Sequence, residues 1–300
     1  MLLNASGCLD ALTAPEVARQ LDAFVTKTVT PLPRGGNAPV RIAETDVGML
    51  NSIGLANPGR EVFLSEVLPH LAEIGVPIWV SVGGFAANEY ATTCALLDRR
   101  GEVAAVELNL SCPNVDEAPE SAAEIVSACR TATRLPLYAK LSPASWDVAE
   151  VARAVEAAGA DGLSLVNTLR GLKLDASFRP VLGTVTGGLS GPALKPVALA
   201  AVHACFRATS LPIVGMGGVA SGRDALELFA VGARAVALGT ILFSDPPAPL
   251  RIREELAAEL AALGLSSPEQ ACGIAHEEAL PARKHLDLGS RVSLKSLQIP

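Results

Sequence analysis

The sequence predicts an α/β fold in which eight strand–helix units close into a (β/α)8 TIM barrel. The predicted strands are almost wholly apolar, as in VAAVEL (103–108) and AVAL (235–238), which is typical of parallel strands whose outer face is covered by helices. A strand–helix–strand module also repeats: Gly159 and Gly232 lie 73 residues apart, and each ends a helix before another apolar strand. Repetition of such modules along one chain favours a barrel.

The elements follow in order along the chain. Proline opens three of the apolar runs, and proline is tolerated at the first residue of a strand. Strands are predicted near residues 1–5, 23–29, 77–82, 103–109, 136–141, 162–166, 212–216 and 235–239. Helices connect them, and the last helix is predicted near residues 248–263. Eight such units in about 260 residues are what a TIM barrel requires.

The clearest helix lies in SWDVAEVARAVEAAGA (145–160). Apolar residues recur there at positions i, i+3, i+4 and i+7, and Gly159 occupies the position where glycine commonly ends a helix. The alternative fold is an open doubly wound sheet. That fold would place a GxGxxG turn after the first strand, and the motif is absent from the sequence.

Two segments depart from the strand–helix alternation. Residues 30–59 are dense in Pro, Gly and Asn, and we expect them to form an irregular loop excursion on the C-terminal face of the barrel. Long loops in compact domains tend to be functional. We also expect the barrel to span residues 1–264, with residues 265–300 forming a C-terminal helix and an extended tail.

Composition narrows the class of function. Of the 300 residues, 50% are hydrophobic and 18% charged, and the net charge is −7 without a cluster of Lys and Arg, which argues against a nucleic-acid partner. No apolar run reaches the roughly 18 residues of a membrane span. Six cysteines are scattered without metal-ligand spacing, so we expect a reduced, cytoplasmic protein.

Polar residues and glycines follow the predicted strands at their C-terminal ends. These groups are Asn4–Gly7, Thr26–Thr28, Gly83–Gly84, Asn109–Asn114, Lys140, Asn167–Thr168, Gly217–Gly218 and Gly239–Thr240. In a TIM barrel all of them share one face, which is the face where active sites of this fold are built. The sequence therefore predicts a single site at this end of the barrel.

The chemistry of these groups indicates an anionic ligand. The glycines of GMGGV (215–219) and LGT (238–240) end the last two strands, where barrels commonly bind phosphate through backbone N–H groups. Lys27 and Lys140 would point into the barrel mouth, and a buried ammonium requires either an anion nearby or a Schiff-base role. The alternative is a lysine that extends to solvent.

A second set of side chains indicates a planar polar ligand. Asn51, Asn109, Asn114 and Asn167 supply donors and acceptors without charge, which suits a pyrimidine ring or a cyclic imide. Cys112 is the candidate acid or base, because no predicted strand end carries a histidine or a carboxylate, and nearby lysines would favour its thiolate. We expect structural roles for the four histidines, His70, His203, His276 and His285.

Several motifs together resemble class 1 dihydroorotate dehydrogenases. They are VTKTVTP (25–31), MLNSIGLANPG (49–59), ELNLSCPNV (107–115), YAKLSP (138–143), LVNTLRG (165–171), TGGLSGPALKPVAL (186–199) and VGMGGVASGRDALE (214–227). The resemblance runs in collinear order from residue 5 to about residue 246. It implies an FMN-containing barrel that oxidises (S)-dihydroorotate to orotate in pyrimidine synthesis.

The resemblance also implies roles for individual residues. Cys112 would remove the proton from C5 while hydride passes from C6 to flavin N5; class 2 enzymes have serine at this position. The substrate-binding residues would be Lys27, Asn51, Ile53, Gly54, Leu55, Asn109, Asn114, Asn167 and Thr168. The cofactor-binding residues would be Ala5, Ser6, Gly7, Lys27, Thr28, Asn109, Lys140, Val166, Gly191, Gly217, Gly218, Gly239 and Thr240.

The motif TGGLSGPALKP is most similar to that of subclass 1B, which implies a partner subunit that carries FAD and a [2Fe–2S] cluster and passes electrons to NAD. No cysteine set in the sequence has the spacing to hold such a cluster, so the cluster would belong to the partner. We therefore expect a homodimer or a heterotetramer.

Three other functions remain open from the sequence. The NLSCP motif and the lysines also fit a dihydropyrimidine dehydrogenase-like subunit, which acts on rings without the carboxylate. A barrel lyase or aldolase would use Lys140 or Lys27 as a Schiff base and bind a substrate phosphate at GMGG. A non-catalytic flavin-binding paralogue is the last alternative, because the segment after Asn114 is shorter than the family's usual loop.

Overall fold

The computed structural model describes residues 1–110, 122–145 and 147–276. Twelve strands lie in these residues: β1 (Leu2–Asn4), β2 (Phe24–Val25), β3 (Ile42–Thr45), β4 (Gly48–Asn51), β5 (Ile78–Val82), β6 (Val103–Asn109), β7 (Leu137–Leu141), β8 (Gly162–Leu165), β9 (Leu169–Leu172), β10 (Thr186–Ser190), β11 (Ile213–Met216) and β12 (Ala235–Leu238). The α-helices of the same ranges are α1 (Pro15–Ala18), α2 (Arg60–Val62), α3 (Leu68–Ala72), α4 (Ala87–Leu97), α5 (Ala122–Ala132), α6 (Val148–Ala157), α7 (Lys195–Ala208), α8 (Gly222–Ala230), α9 (Ile241–Ser244), α10 (Ala248–Ala262) and α11 (Pro268–Ala271).

Eight parallel strands form the barrel, in the order β1-β12-β11-β8-β7-β6-β5-β2. The first and last strands of this order meet at a parallel bridge between Leu3 and Ala23. The Asn4 side chain completes the seam, because its Nδ2 donates to the Val25 carbonyl at 2.7 Å and its Oδ1 accepts from the Val25 N–H at 2.8 Å. The predicted TIM barrel is confirmed, with each barrel strand inside or overlapping its predicted range.

Side chains alternate between the inside and the outside of the barrel. On β6, Val106 and Leu108 face the helices, whereas Ala105 belongs to a separate apolar cluster inside the barrel. Leu3, Val25, Trp79, Val214 and Ala237 are other members of that inner cluster. The lower part of the barrel is therefore packed with apolar side chains, and polar residues lie only towards its C-terminal end.

The 73-residue repeat is visible in the structure. Helix α6 begins with Asp147, whose side chain accepts from the Glu150 N–H, and α8 begins with Ser221, whose side chain accepts from the Asp224 N–H. Both helices are followed by a glycine at positive φ, Gly159 at 99° and Gly232 at 117°, which residues with a side chain rarely adopt. Each repeat then enters a barrel strand, β8 or β12.

The excursion at residues 30–59 is more ordered than the sequence predicts. It contains a hairpin of β3 and β4, and β10 and β9 extend this hairpin to an antiparallel sheet in the order β3-β4-β10-β9. The pairing of Leu50 with Leu189 joins segments that are far apart in the chain. Strands of four residues give only a weak local pattern, so their pairing depends on the barrel that brings them together.

Residues 265–276 pack on the outside of the barrel. Helix α11 contacts α8, and the Gly273 N–H donates to the Phe229 carbonyl at 3.0 Å. The rings of His203 and His276 stack with their centroids 4.1 Å apart, in keeping with the structural roles predicted for them. His285 lies outside the described residues, and the domain boundary at residue 264 stays a prediction. No helix in the described ranges has the length and apolar character to cross a membrane.

Candidate active site

A cavity of about 410 Å³ opens at the C-terminal ends of the barrel strands. Every predicted site residue that the structure describes lines it: Ala5, Ser6, Gly7, Lys27, Thr28, Asn51, Ile53, Gly54, Leu55, Asn109, Lys140, Val166, Asn167, Thr168, Gly191, Gly217, Gly218, Gly239 and Thr240. Cys112 and Asn114 lie outside the described residues. The structure thus brings the predicted substrate and cofactor residues into one cavity, as the strand ends of a barrel require.

A chain of hydrogen bonds orients the amides at one side of the cavity. Asn167 Nδ2 donates to Asn109 Oδ1 at 3.2 Å, and Asn109 Nδ2 donates to Thr28 Oγ1 at 3.1 Å. The Thr28 hydroxyl lies 3.0 Å from the Ser81 hydroxyl, which is buried inside the barrel. These contacts fix which face of the Asn109 amide donates and which accepts, and they join strands β2, β5 and β6 at the cavity floor.

Lys140 enters the cavity from β7 and is only 6% exposed. Its Nζ lies 3.4 Å from Oε1 of Glu107, a residue of β6 that is 1% exposed. The sequence prediction that a buried lysine needs an anion nearby is met by this carboxylate, which the sequence analysis missed because it lies inside a strand and not at its end. The signal was a lone acidic residue in the apolar run VAAVELNL.

Lys27 reaches the cavity by passing over the backbone of Gly7. A Cβ on Gly7 would lie 2.9 Å from Cδ of Lys27, so a larger residue at position 7 would displace the lysine side chain. Gly7 also has φ of 78°, in the left-handed region. Glycine at this position therefore keeps the lysine against the loop that follows β1.

Glycines at the ends of β10, β11 and β12 form an open backbone surface. Gly217 and Gly218 have φ of 127° and 74°, and a Cβ on Gly218 would lie 2.7 Å from the Lys195 Cβ and 3.0 Å from the Gly191 carbonyl oxygen. Thr240 Oγ1 donates to Ser190 Oγ at 2.8 Å, which ties the end of β12 to β10. The close approach of these segments leaves room for an anion at the backbone and none for a side chain.

An ion-pair network supports this glycine loop from behind. Asp224 accepts from the Ala220 N–H at 3.0 Å and from Lys195 Nζ at 2.6 Å, and Arg251 donates to the Ala220 carbonyl at 3.1 Å. Burial opposes ionisation of Asp224, but hydrogen bonds from Lys195, Ala220 and Ser221 hold its pKa below the usual value. The same hydrogen bonds from Asp224, with those from Glu227, raise the pKa of Lys195.

The loop after β4 is fastened by amide side chains. Asn57 Nδ2 donates to the Leu55 carbonyl and to Thr30 Oγ1, both at 2.7 Å, and its Oδ1 accepts from the Gly59 N–H at 2.8 Å. Leu55 has φ of 55°, which is unfavourable for a branched side chain and persists where the surroundings impose it. Asn51 Nδ2 donates to the Gly188 carbonyl at 3.2 Å, so the antiparallel sheet positions this amide.

Other residues that line the cavity were not predicted from sequence. They are Cys8, Ile42, Met49, Ser190, Pro192, Leu194, Met216, Val219, Ala220, Ile241, Phe243 and Ser244. Ile42 and Met49 belong to the hairpin, whose position over the barrel mouth depends on long-range pairing. Burial raises the pKa of the Cys8 thiol, partly offset by the positive charges of Lys140 and Lys27, so this thiol stays protonated near neutral pH.

The cavity offers nitrogen and hydroxyl donors in place of a metal-ligand set. Among the described residues, no group of three or more His, Cys, Asp and Glu side chains could hold a metal ion. Two lysines, three amides and a glycine-rich backbone suit a ligand with a planar polar ring and an anionic group.

Comparisons with known proteins agree with this site. A family model described as dihydroorotate dehydrogenase matches residues 1–260. The dihydroorotate dehydrogenase B (NAD(+)), catalytic subunit of Latilactobacillus sakei subsp. sakei (strain 23K) is 46% identical over 275 residues, covering 87% of this chain and 89% of the relative. The protein of the same description from Desulforudis audaxviator (strain MP104C) is 45% identical over 264 residues, covering 85% and 86%.

A solved structure supports the fold. The crystal structure of DHODH in complex with ferulenol from Eimeria tenella has a TM-score of 0.79 at 23% identity and covers 92% of this chain and 85% of that chain. The resemblance stated from the sequence motifs is confirmed by the family model and by the relatives. The chain belongs to the dihydroorotate dehydrogenase family of oxidoreductases.

Proposed function

We propose that this chain oxidises (S)-dihydroorotate to orotate with FMN as its cofactor, in pyrimidine biosynthesis. The observation that carries the proposal is the single cavity that gathers two lysines, three asparagines and the glycine loops at the barrel mouth. Family membership and the activity in the relatives' names support it. Dihydroorotate is a planar-edged ring with alternating N–H and C=O groups and one carboxylate, which matches this donor set.

The chemistry of the cavity fits FMN. Gly191, Gly217, Gly218, Gly239 and Thr240 would surround the phosphate, because glycines without Cβ atoms allow close approach of backbone N–H groups. Ala5, Ser6, Gly7, Thr28 and Val166 would line the ring system, and Lys140 would face its N1 side. When bound, FMN would accept the hydride that leaves C6 of the substrate.

The chain's own residues would bind the substrate and move one proton. Lys27 would pair with the substrate carboxylate, and the remaining predicted substrate residues, Asn51, Ile53, Gly54, Leu55, Asn109, Asn114, Asn167 and Thr168, would hold the ring. Cys112 would take the proton from C5 as a thiolate. Cys8 is a poor candidate for this role, since burial raises its pKa.

The relatives' description as a catalytic subunit supports a partner for this chain, and we propose an electron-transfer subunit with FAD and a [2Fe–2S] cluster that passes electrons to NAD. Large apolar side chains on and beside the antiparallel sheet are exposed: Val40, Ile42, Val47, Leu172, Leu174, Phe178 and Val185. Exposed apolar patches commonly mark protein contacts. Free cysteines at positions 8, 94, 129, 205 and 272 support a reducing, cytoplasmic location.

Anaerobic titration of the purified, FMN-loaded chain with dihydroorotate tests the proposal. We expect the flavin absorbance to bleach in proportion to the added substrate, and NAD to restore it only when the partner subunit is present. Bleaching by dihydrouracil in place of dihydroorotate would favour a dihydropyrimidine dehydrogenase-like activity. A chain that retains no flavin, or whose flavin does not respond to either compound, contradicts the proposal.

The role of Cys112 has its own test. Cys112→Ser should retain FMN but slow flavin reduction by several orders of magnitude at neutral pH, because a serine hydroxyl is a far weaker base than a thiolate. Cys129→Ser is the matched control, since Cys129 is buried in helix α5 among apolar residues away from the cavity. Reduction of Cys112→Ser at the wild-type rate would remove this thiol from the mechanism.

A further inference from the structure

Glu107 is a buried carboxylate to which the proposed mechanism gives no role. It lies on β6 opposite Tyr138 of β7, one inward-facing position below the pair of Asn109 and Lys140. Lys140 lines the cavity, whereas Glu107 lies beneath it, inside the barrel. The carboxylate is therefore close to the cavity floor but is separated from a bound ligand by the lysine.

The surroundings of Glu107 explain why it must be paired. The barrel interior at this level is made of apolar side chains such as Ala105 and Met216, and a carboxylate inside it is costly without an opposite charge. The contact with Lys140 Nζ at 3.4 Å supplies that charge. Ser164, opposite Lys140 on β8, is fully buried, and its Oγ has no hydrogen-bond partner among the described residues.

The pair has an electrostatic consequence for a ligand above it. A cation at the cavity floor attracts negative charge, and a carboxylate behind the cation repels the same charge from slightly farther away. Little water reaches either group, so neither effect is strongly screened. Lys140 with Glu107 therefore stabilises an anion less than Lys140 would by itself.

We propose that Glu107 is a positioning residue that holds the Lys140 ammonium at the cavity floor and offsets part of its charge, thereby lowering the reduction potential of the bound flavin. The inference rests on the proposed function, since it assumes FMN above Lys140. Negative charge gathers on the flavin when it is reduced, and the carboxylate opposes that charge. A lower potential makes the reduced enzyme a better electron donor to its acceptor.

The test is the midpoint potential of the FMN-loaded chain, measured by anaerobic equilibration with a reference dye. Glu107→Gln keeps the shape of the side chain and removes its charge. We expect the equilibrium constant for two-electron reduction to rise about tenfold, which corresponds to about 30 mV. FMN should remain bound, with a dissociation constant within about threefold of wild type, because the oxidised ring carries no charge for the carboxylate to oppose.

Two further variants sharpen the comparison. Glu102→Gln is the matched control: it removes the same charge just before β6, where the side chain pairs with Arg100 outside the barrel, and it should leave the potential unchanged. Glu107→Asp keeps the charge but withdraws it by one methylene group. It should raise the equilibrium constant by about twofold to threefold, between wild type and Glu107→Gln.

The outcomes separate this inference from the proposed function. If wild type holds no flavin, or its flavin is not bleached by dihydroorotate, the proposed function fails before Glu107 is considered. If wild type bleaches normally and Glu107→Gln has an unchanged or lower potential, the inference about Glu107 is overturned. Should Glu107→Gln not fold, the same criterion applies to Glu107→Asp, whose potential must rise.

Discussion

The side-chain amide of Asn4 hydrogen-bonds both backbone groups of Val25, at 2.7 Å to the carbonyl and 2.8 Å from the N–H. It takes the place of a ladder pair between the first and second barrel strands, which otherwise meet at the single bridge of Leu3 with Ala23. Asn4 is fully buried. One side chain thus completes the closure of the barrel directly below the loop that carries Ala5, Ser6 and Gly7.

Asn4→Ala should destabilise the protein strongly. It leaves the N–H and C=O of Val25 buried without partners, and each such group costs about 1–3 kcal/mol. Urea denaturation followed by circular dichroism measures the loss. Asn88→Ala, an exposed asparagine in the first turn of α4, is the control and should change the free energy of unfolding by less than about 0.5 kcal/mol. Equal effects of the two variants would show that the seam does not depend on Asn4.

Gly218→Ala should weaken FMN binding as well as stability. The new Cβ would lie at φ of 74° and 2.7 Å from the Lys195 Cβ, so the glycine loop must move. We expect a loss of about 1–2 kcal/mol from the left-handed conformation, and at least a tenfold weaker FMN complex in fluorescence titration. Gly75→Ala separates the two effects, because Gly75 has φ of 79° with open space around it. It should lose stability to a similar extent with unchanged FMN affinity.

Acid should loosen the network behind the glycine loop. The pKa values of Asp224 and Glu255 are held low, the latter by hydrogen bonds from the Gly222 N–H and from Arg251. A carboxyl group whose pKa is lower in the folded than in the unfolded state contributes stability above its unfolded pKa of about 4, and the contribution is lost as the pH falls through the folded value. Stability should therefore fall steeply below about pH 4.

Asp224→Asn tests this network. The variant lacks one of the titrating groups, so the slope of unfolding free energy against pH should be shallower than in wild type between about pH 4 and pH 2. Its stability at pH 7 should be lower, because Lys195 loses a charged partner at 2.6 Å. Urea titrations at several pH values measure both quantities. A slope identical to that of wild type would mean that Asp224 does not titrate with unfolding.

Cys8 should be unreactive in the native protein. Burial raises the pKa of its thiol, so the reactive thiolate is scarce at pH 7.5 although the residue is partly exposed to the cavity. We expect alkylation by iodoacetamide to be at least tenfold slower at Cys8 in the native chain than in the urea-unfolded chain, with sites identified by peptide mass spectrometry. The difference should widen towards pH 9.5, because only the unfolded thiol ionises there. Equal rates in both states would contradict the dehydrated environment.

Local patterns were enough to predict the barrel and the position of its site. Apolar runs of four to seven residues separated by amphipathic helices specify parallel strands, and the C-terminal ends of parallel strands necessarily share one rim. Asn109, Lys140 and Asn167 could therefore be assigned to one cavity, although 58 residues separate Asn109 from Asn167. The motif resemblance then supplied roles that spacing could not.

Contacts that depend on which strands become neighbours could not be predicted in this way. The pairing of β4 with β10, which places Ile42 and Met49 at the cavity, involves short segments with no local signal. Glu107 could be seen in the sequence as an acid in an apolar strand, but its partner was decided by the register of β6 with β7.

The sequence by itself determined the parallel strands, the helices between them and the set of polar residues that end the strands, because each of these follows from periodicity over a few residues. Only the tertiary structure decided that Asn4 closes the barrel against Val25, that the hairpin covers the cavity and that Glu107 lies beneath Lys140. The physical reason is that strand order and register are fixed by cooperative packing of the whole barrel, and that packing determines which buried polar groups meet.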